Sequence, residues 1–254
     1  MILRPLAPPP PGDHPLSAWQ AVEATQKDPG AECWLIAQPD HASLAGDLAA
    51  HLAPQHFPGL DQAVRQAIAL HDEGWGPLDA AAFAAPRRPA SFIDETPPTF
   101  IEAWTASIDR SQQVAPIGGV IVSQHFCRLA DFRLNSRKDT PDDTRLLLGF
   151  LTAEDRRRRS LLPACSGRDP GFLTDVLQFC DVLSLYLCCG AEDSVTFPQR
   201  FTGREVRLER LRTRDQAAIC RFSPAILDGT TELAVGARRW PGPGQSRPFL
   251  FVLE

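Results

Sequence analysis

Three of the chain's six histidines, His41, His71 and His125, fall on apolar faces of three separate expected helices. His71 is followed at once by Asp72. A fourth expected helix carries Asp181 inside QFCDVLSLYLCC, a run with almost no polar face. The intervals between His41, His71, His125 and Asp181 are 30, 54 and 56 residues. The other histidines, His14, His51 and His56, lie in an N-terminal arm or at the end of the first helix. A buried carboxylate without a partner is very costly, so Asp181 must neutralise, pair with a cation, or bind one. Imidazoles and carboxylates together suit a borderline or hard divalent ion such as iron, manganese, zinc or magnesium. Singly, each has a plainer role. A histidine on an apolar face is more often a core residue bonded to a carbonyl, and a buried aspartate is often an arginine's partner. Three inward histidines and two inward aspartates on four helices are hard to explain as independent accidents.

The positioning elements follow from periodicity. MILR and Cys33–Ala37 read as short strands. Pro39 and Asp40 mark the start of a helix, with Asp40 as a possible cap, and His41, Ala45, Leu48 and Leu52 share one face. A second helix is expected from about Leu60 to Glu73, with Val64, Ala67, Ile68 and His71 on its stripe and Gly74 ending it. Residues 76–98 read as a long loop. A third helix spans Thr99–Ser111, with Phe100, Trp104 and Ile108 inward. A fourth starts after Pro116 and stacks Ile117, Ile121, His125 and Leu129, with a polar loop over 132–142. A fifth covers about Asp143–Leu162, and a sixth, about Pro170–Cys189, is apolar almost all round. Beyond Gly190, VRLERL, AAICRF, ELAVGARR and PFLFVLE alternate like strands, with Asp228-Gly229 the clearest turn. A lone hairpin is only marginally stable, so CWLIA or MILR are candidates to join that sheet.

These residues carry a resemblance. AVRQAIALHDEGW is similar to the signature helix of the HD-domain superfamily of metal-dependent phosphohydrolases. QPDHASLAG is similar to its first ligand helix, and FLTDVLQFCDVLSLYL to its last core helix. The whole pattern, including SQHF, more closely resembles a bacterial family, the domain of unknown function 3891, from about residue 33 onward. The HD part covers about 38–190. The HD resemblance implies a helical hydrolase acting on nucleotides or phosphate esters, with His41, His71, Asp72 and Asp181 as metal ligands. His125 lies where some members place an extra ligand or a phosphate-facing histidine. Members with two metals carry more histidines between the His-Asp pair and the last Asp, and the single one here argues for one ion or a weakly held second. The expected fold is mainly α: an HD-like helical bundle with a small C-terminal antiparallel β-subdomain. Its parts are a proline-rich irregular arm over 1–30, the helical domain over 31–192 and the β-subdomain over 193–254.

Such a centre implies a metal-activated water as nucleophile. Glu73, directly after the ligand pair, is the candidate base, against a plain role as a solvated helix end. His125 is the candidate acid or phosphate contact. Trp75 and Trp104 are candidate pocket walls, although Trp is more often core. Arg156–Arg159 cannot all face one ligand on a helix and read as a solvated, salt-bridged face. Arg87-Arg88 is a weak electrostatic lid candidate. Gly118-Gly119 lacks the setting of a phosphate cradle, and Ser123 and His125 do not form a triad.

Composition is that of an ordinary globular chain: 43% hydrophobic and 22% charged among 254 residues. With 26 basic and 31 acidic residues the net charge is −5, which argues against nucleic-acid partners. Seven scattered cysteines without a C-x-x-C pair suggest buried thiols rather than a disulfide framework. The N-terminal stretch has no signal-peptide pattern, and no run reaches the roughly 18 apolar residues of a membrane span, so a cytoplasmic protein without a membrane partner is expected. A small-molecule substrate is the expected partner, and a homo-oligomer is compatible with the sequence. Besides the hydrolase, two rivals stand: a catalytically silent metal- or ligand-binding sensor, and a helical scaffold with a buried polar network.

Overall fold

The computed structural model describes residues 1–6, 30–85, 87–136, 139–190, 194–214, 217–242 and 245–254. Most of the proline-rich arm, residues 7–29, lies outside the described residues. Helix α1, Gln38–Ala50, begins with Pro39 in its first turn. Asp40 sits inside that turn, where its charge opposes the helix dipole, and it is not the cap. The open N–H of Gln38 instead donates to Asp79 Oδ2 at 2.6 Å. Helix α2, Gln62–Ala69, is capped by Asp61, which accepts from Val64 N. It stops short of the expected end, so His71 and Asp72 stand on a turn that leads into the 3-10 segment Glu73–Trp75.

The expected loop over 76–98 is not one. Helix α3, Gly76–Ala84, occupies its first half, and a 3-10 turn follows at Phe92–Asp94. Pro77 fits the first turn and the alanines that follow favour helix, yet they draw no apolar stripe that periodicity could detect. Helices α4 (Pro97–Val114), α5 (Pro116–Ser136), α6 (Pro141–Leu161) and α7 (Pro170–Cys189) complete the helical layer. Leu129 of α5, expected inward, is partly exposed. Helix α7 is capped by Asp169 and closed by Gly190 at φ 78°, the left-handed conformation that favours glycine. By length and apolar character α7 could cross a membrane, but 72% of its apolar window is buried inside the fold, as in a central core helix.

The expectation of a mainly α protein with a small antiparallel subdomain fails at the sheet. Strands β1 (Ile2–Pro5), β2 (Cys33–Ile36), β3 (Val195–Phe197), β4 (Val206–Arg214), β5 (Ala217–Ser223), β6 (Thr231–Trp240) and β7 (Ser246–Leu253) form one seven-stranded sheet. Its order is β1-β2-β6-β7-β5-β4-β3. The sheet is mixed, because β7 returns antiparallel to β6 and enters between β6 and β5, running parallel to β5. This is an α/β fold. Alternation marks a strand but not its neighbour, so the sequence pattern left the joining of both ends of the chain open.

Helix α7 packs on one face of this sheet. Phe179 of α7 meets Phe197 and Phe222 of the sheet at ring separations of 4.8 and 6.4 Å. On the other face, Leu3, Cys33 and Leu35 form a small cluster covered by Ala82 and Phe83 of α3. Arg4 of β1 donates to the Leu187 and Cys188 carbonyls at the end of α7. Asp79 also lies 3.0 Å from the Met1 amino nitrogen, so α3 ties β1 to the start of α1. All seven cysteines are buried and free.

Candidate metal centre

Four elements bring the flagged residues to one place. Helix α1 supplies His41, the turn after α2 supplies His71 and Asp72, α5 supplies His125, and α7 supplies Asp181. Gly46 lets α1 approach α2: a Cβ there would stand 2.4 Å from the Cβ of Ala69. His41 Nε2 lies 3.2 Å from Asp181 Oδ1, and His71 Nε2 lies 3.3 Å from the same oxygen. Asp72 Oδ2 is 3.5 Å from His41 Nε2 and 3.8 Å from His71 Nε2. His125 Nε2 is 3.7 Å from Asp181 Oδ2. The rings of His41 and His71, and of His71 and His125, sit edge-on at 5.2 and 5.6 Å. His41 and His71 are fully buried, and Asp72 and Asp181 are each 7% exposed.

The hydrogen bond of His71 decides what this arrangement can hold. Its Nδ1 donates to the Ile68 carbonyl at 2.7 Å. In the neutral ring the remaining nitrogen, Nε2, then carries a lone pair, and that lone pair faces two carboxylates. Acceptors facing acceptors repel unless a cation stands between them, either a proton on the ring or a metal ion. A ring N–H tied to a backbone carbonyl is also the usual outer support of a metal-ligating histidine. Ligands bound at about 2.0–2.2 Å around one ion stand roughly 3–3.5 Å from each other, close to the separations here. His41, His71 and Asp181 offer ligand atoms that all lie within 4.8 Å of one another, a group that could hold a metal ion. The Nδ1 atoms of His41 and His125 are buried without a hydrogen-bond partner.

The charges are strongly coupled. Burial opposes a charge on His71, but Asp72 and Asp181 outweigh it and raise its pKa to about 9. Burial pushes Asp72 up, and the nearby imidazoles only partly offset this. Burial acts against charge on Asp181 too, yet hydrogen bonds from His41 and His71 hold its carboxyl far below the usual range. His125 is driven down to about 3 by burial, so its ring stays neutral.

The remaining flagged residues scatter. Glu73 is exposed and opens the 3-10 turn beside the pair, where its charge, after burial and Asp79, helps raise Asp40. Trp75 is buried. Trp104 stacks on Phe126 at 5.0 Å and touches Phe100 and Phe150, a core role. The arginine run spreads around α6 as expected. Arg157 pairs with Glu154 and Asp109, Arg159 with Asp155, and Arg158 reaches Ser123 and Cys127, while Arg156 is exposed. Arg88 approaches Cys33 Sγ at 4.0 Å.

Two buried polar residues on the elements around the site were missed. Asp79 lay in the supposed loop, and no pattern marked it. Ser107, fully buried, donates to the Ala103 carbonyl and accepts from Gly74 N. It falls on the stripe of Phe100, Trp104 and Ile108, so a polar residue on an inward face was the available signal.

The family model described as protein of unknown function (DUF3891) matches residues 25–226. No curated protein and no solved structure matches the chain.

Proposed function

We propose that this chain, which belongs to the DUF3891 family, is a metal-dependent hydrolase of a small phosphorylated substrate, in keeping with the HD-like motifs of its sequence. The observation that carries the reading is the bond of His71 Nδ1 to the Ile68 carbonyl, which turns Nε2 toward the carboxylates of Asp72 and Asp181. His41, His71, Asp72 and Asp181 would hold one divalent ion. When bound, such an ion lowers the pKa of a coordinated water and neutralises phosphate charge.

The protein's own groups divide the remaining work. Glu73, exposed and next in the chain to the ligand pair, would be the base that receives the water proton. Water would add to phosphorus as the ester P–O bond breaks, and the proton received by Glu73 would return through solvent to the leaving oxygen. His125, kept neutral by burial, is suited to bond a phosphate oxygen through a ring N–H rather than to surrender a full charge-bearing proton. The Ile68 carbonyl fixes the ring of His71, and packing of α1 on α2 across Gly46 fixes His41.

One observation favours the silent binding protein as a second reading. The cluster is nearly closed, with only the edges of Asp72 and Asp181 reaching the surface. Metal content of the purified protein and phosphate release from a panel of phosphate esters with added Mn²⁺ separate the readings. A metal-loaded protein with turnover that His71→Ala abolishes supports the hydrolase. Metal without turnover supports the silent binder. A chain that takes up no divalent ion, and loses only stability in His71→Ala, overturns both in favour of a polar scaffold.

A further inference from the structure

The His71-Asp72 pair poses a geometric problem. Adjacent residues on a regular helix point about 100° apart, so they do not face one target. Here the chain leaves the helical path after Ala69, and the turn that follows aims both side chains at His41 and Asp181. Something must hold that turn in its departure from the helix.

The holding contact comes from α4. Gly74 N donates to Ser107 Oγ at 2.9 Å, and Ser107 Oγ donates onward to the Ala103 carbonyl at 2.9 Å. The hydroxyl is therefore used in both directions and its orientation is set. The turn also lies flat against the helix: a Cβ on Gly74 would stand 2.0 Å from the Ala103 oxygen and 2.8 Å from Ser107 N. Only a glycine permits this approach, and the approach places the Gly74 N–H on the serine. Trp75, the next residue, is buried in the core and closes the 3-10 turn by donating to the Asp72 carbonyl. The path runs from Ser107 through Gly74 to Asp72, two residues before the glycine.

We propose that Ser107 is a positioning residue for the candidate centre: through the Gly74 N–H it pins the His-Asp turn on α4 and so keeps Asp72 aimed at His41 and His71. This rests on the metal-centre reading for its effect on ion binding, but not for its effect on the turn.

The test uses the full chain and two readouts. Mn²⁺ affinity is measured by calorimetry for wild type, Ser107→Ala and Ser111→Ala. Ser111 lies one turn further along α4, is equally buried, and its hydroxyl has no partner, so it controls for a small cavity in that helix. Ser107→Ala should weaken Mn²⁺ binding about ten- to a hundred-fold, the usual loss for an outer partner of a ligand. Ser111→Ala should leave it within about twofold. In the second readout, amide exchange of the metal-free proteins, residues 71–75 should exchange roughly tenfold faster in Ser107→Ala than in wild type, relative to the rest of the fold. A folded Ser107→Ala protein with wild-type affinity and wild-type exchange in the turn overturns the proposal. So does equal weakening in both serine variants. If Ser107→Ala does not fold, Ser107→Cys, which fills the space with a weak acceptor, takes its place with the same expectations. A wild-type protein that binds no Mn²⁺ defeats the metal reading, and the exchange measurement then decides the role of Ser107 by itself.

Discussion

Two buried aspartates, Asp79 and Asp181, solve the same problem in different ways. Asp79, 4% exposed, accepts from Gln38 N and faces the Met1 amino group, so the chain itself supplies its donor and its cation. Asp181, 7% exposed, faces three imidazole nitrogens, one of which has already committed its N–H elsewhere. The first junction is complete from the chain's own atoms and serves packing of β1, α1 and α3. The second needs a further cation, either a proton on the His71 ring or the metal ion proposed above. A buried carboxylate is thus no sign of function by itself; what matters is whether its neighbours satisfy it.

The comparison can be broken experimentally. The largest effect is expected for Asp181→Asn, which should weaken divalent-ion binding by more than the roughly 10–100-fold that loss of an outer partner costs, measured by calorimetry. Asp79→Asn should do the reverse: lose about 3 kcal/mol of stability in urea unfolding, because a buried cation is left uncompensated, with far less change in ion affinity. If Asp79→Asn matches Asp181→Asn in ion affinity, the distinction collapses.

The sign of the pH dependence sharpens it. His71 has a folded pKa raised to about 9, against about 6.5 unfolded. Its imidazolium therefore stabilises the metal-free protein fully below about pH 6.5, and that contribution fades as pH rises toward 9. Metal binding requires the neutral ring and must displace this proton. Stabilisation by Mn²⁺ should accordingly grow over the same pH range in which the metal-free protein weakens. Thermal unfolding across pH 6–9, with and without Mn²⁺, reads both slopes, and parallel slopes would remove the metal from the account. The smallest effect belongs to the exposed Arg156: Arg156→Ala should stay within about 0.5 kcal/mol of wild type and leave ion affinity unchanged.

The residues of the centre were legible because polar groups on apolar helix faces stand out against their setting. His41, His71, Asp72, His125 and Asp181 were all visible this way, and the structure brings them together. Their supports were less legible. The carbonyl of Ile68 has no sequence signature at all, and Ser107 showed only as a polar residue on the stripe of Phe100, Trp104 and Ile108. Helices such as α7 were read to their ends because Asp169, Pro170 and Gly190 punctuate them. The sheet was misjudged for a different reason. CWLIA and MILR stood as candidates to join the sheet, and both do, but no local pattern encodes the insertion of β7 between β6 and β5 that makes it one large mixed sheet.

The place of β7 between β6 and β5 has a consequence for synthesis. Among the described strands this one comes last, yet it occupies an interior position in the sheet. Until it leaves the ribosome, β5 and β6 each present an open edge where β7 belongs, and open edges invite wrong partners. The elements that carry His41, His71, His125 and Asp181 emerge well before that moment. Closure of the sheet is therefore the late step of folding, and a nascent chain paused before Ser246 is the species most exposed to misassembly.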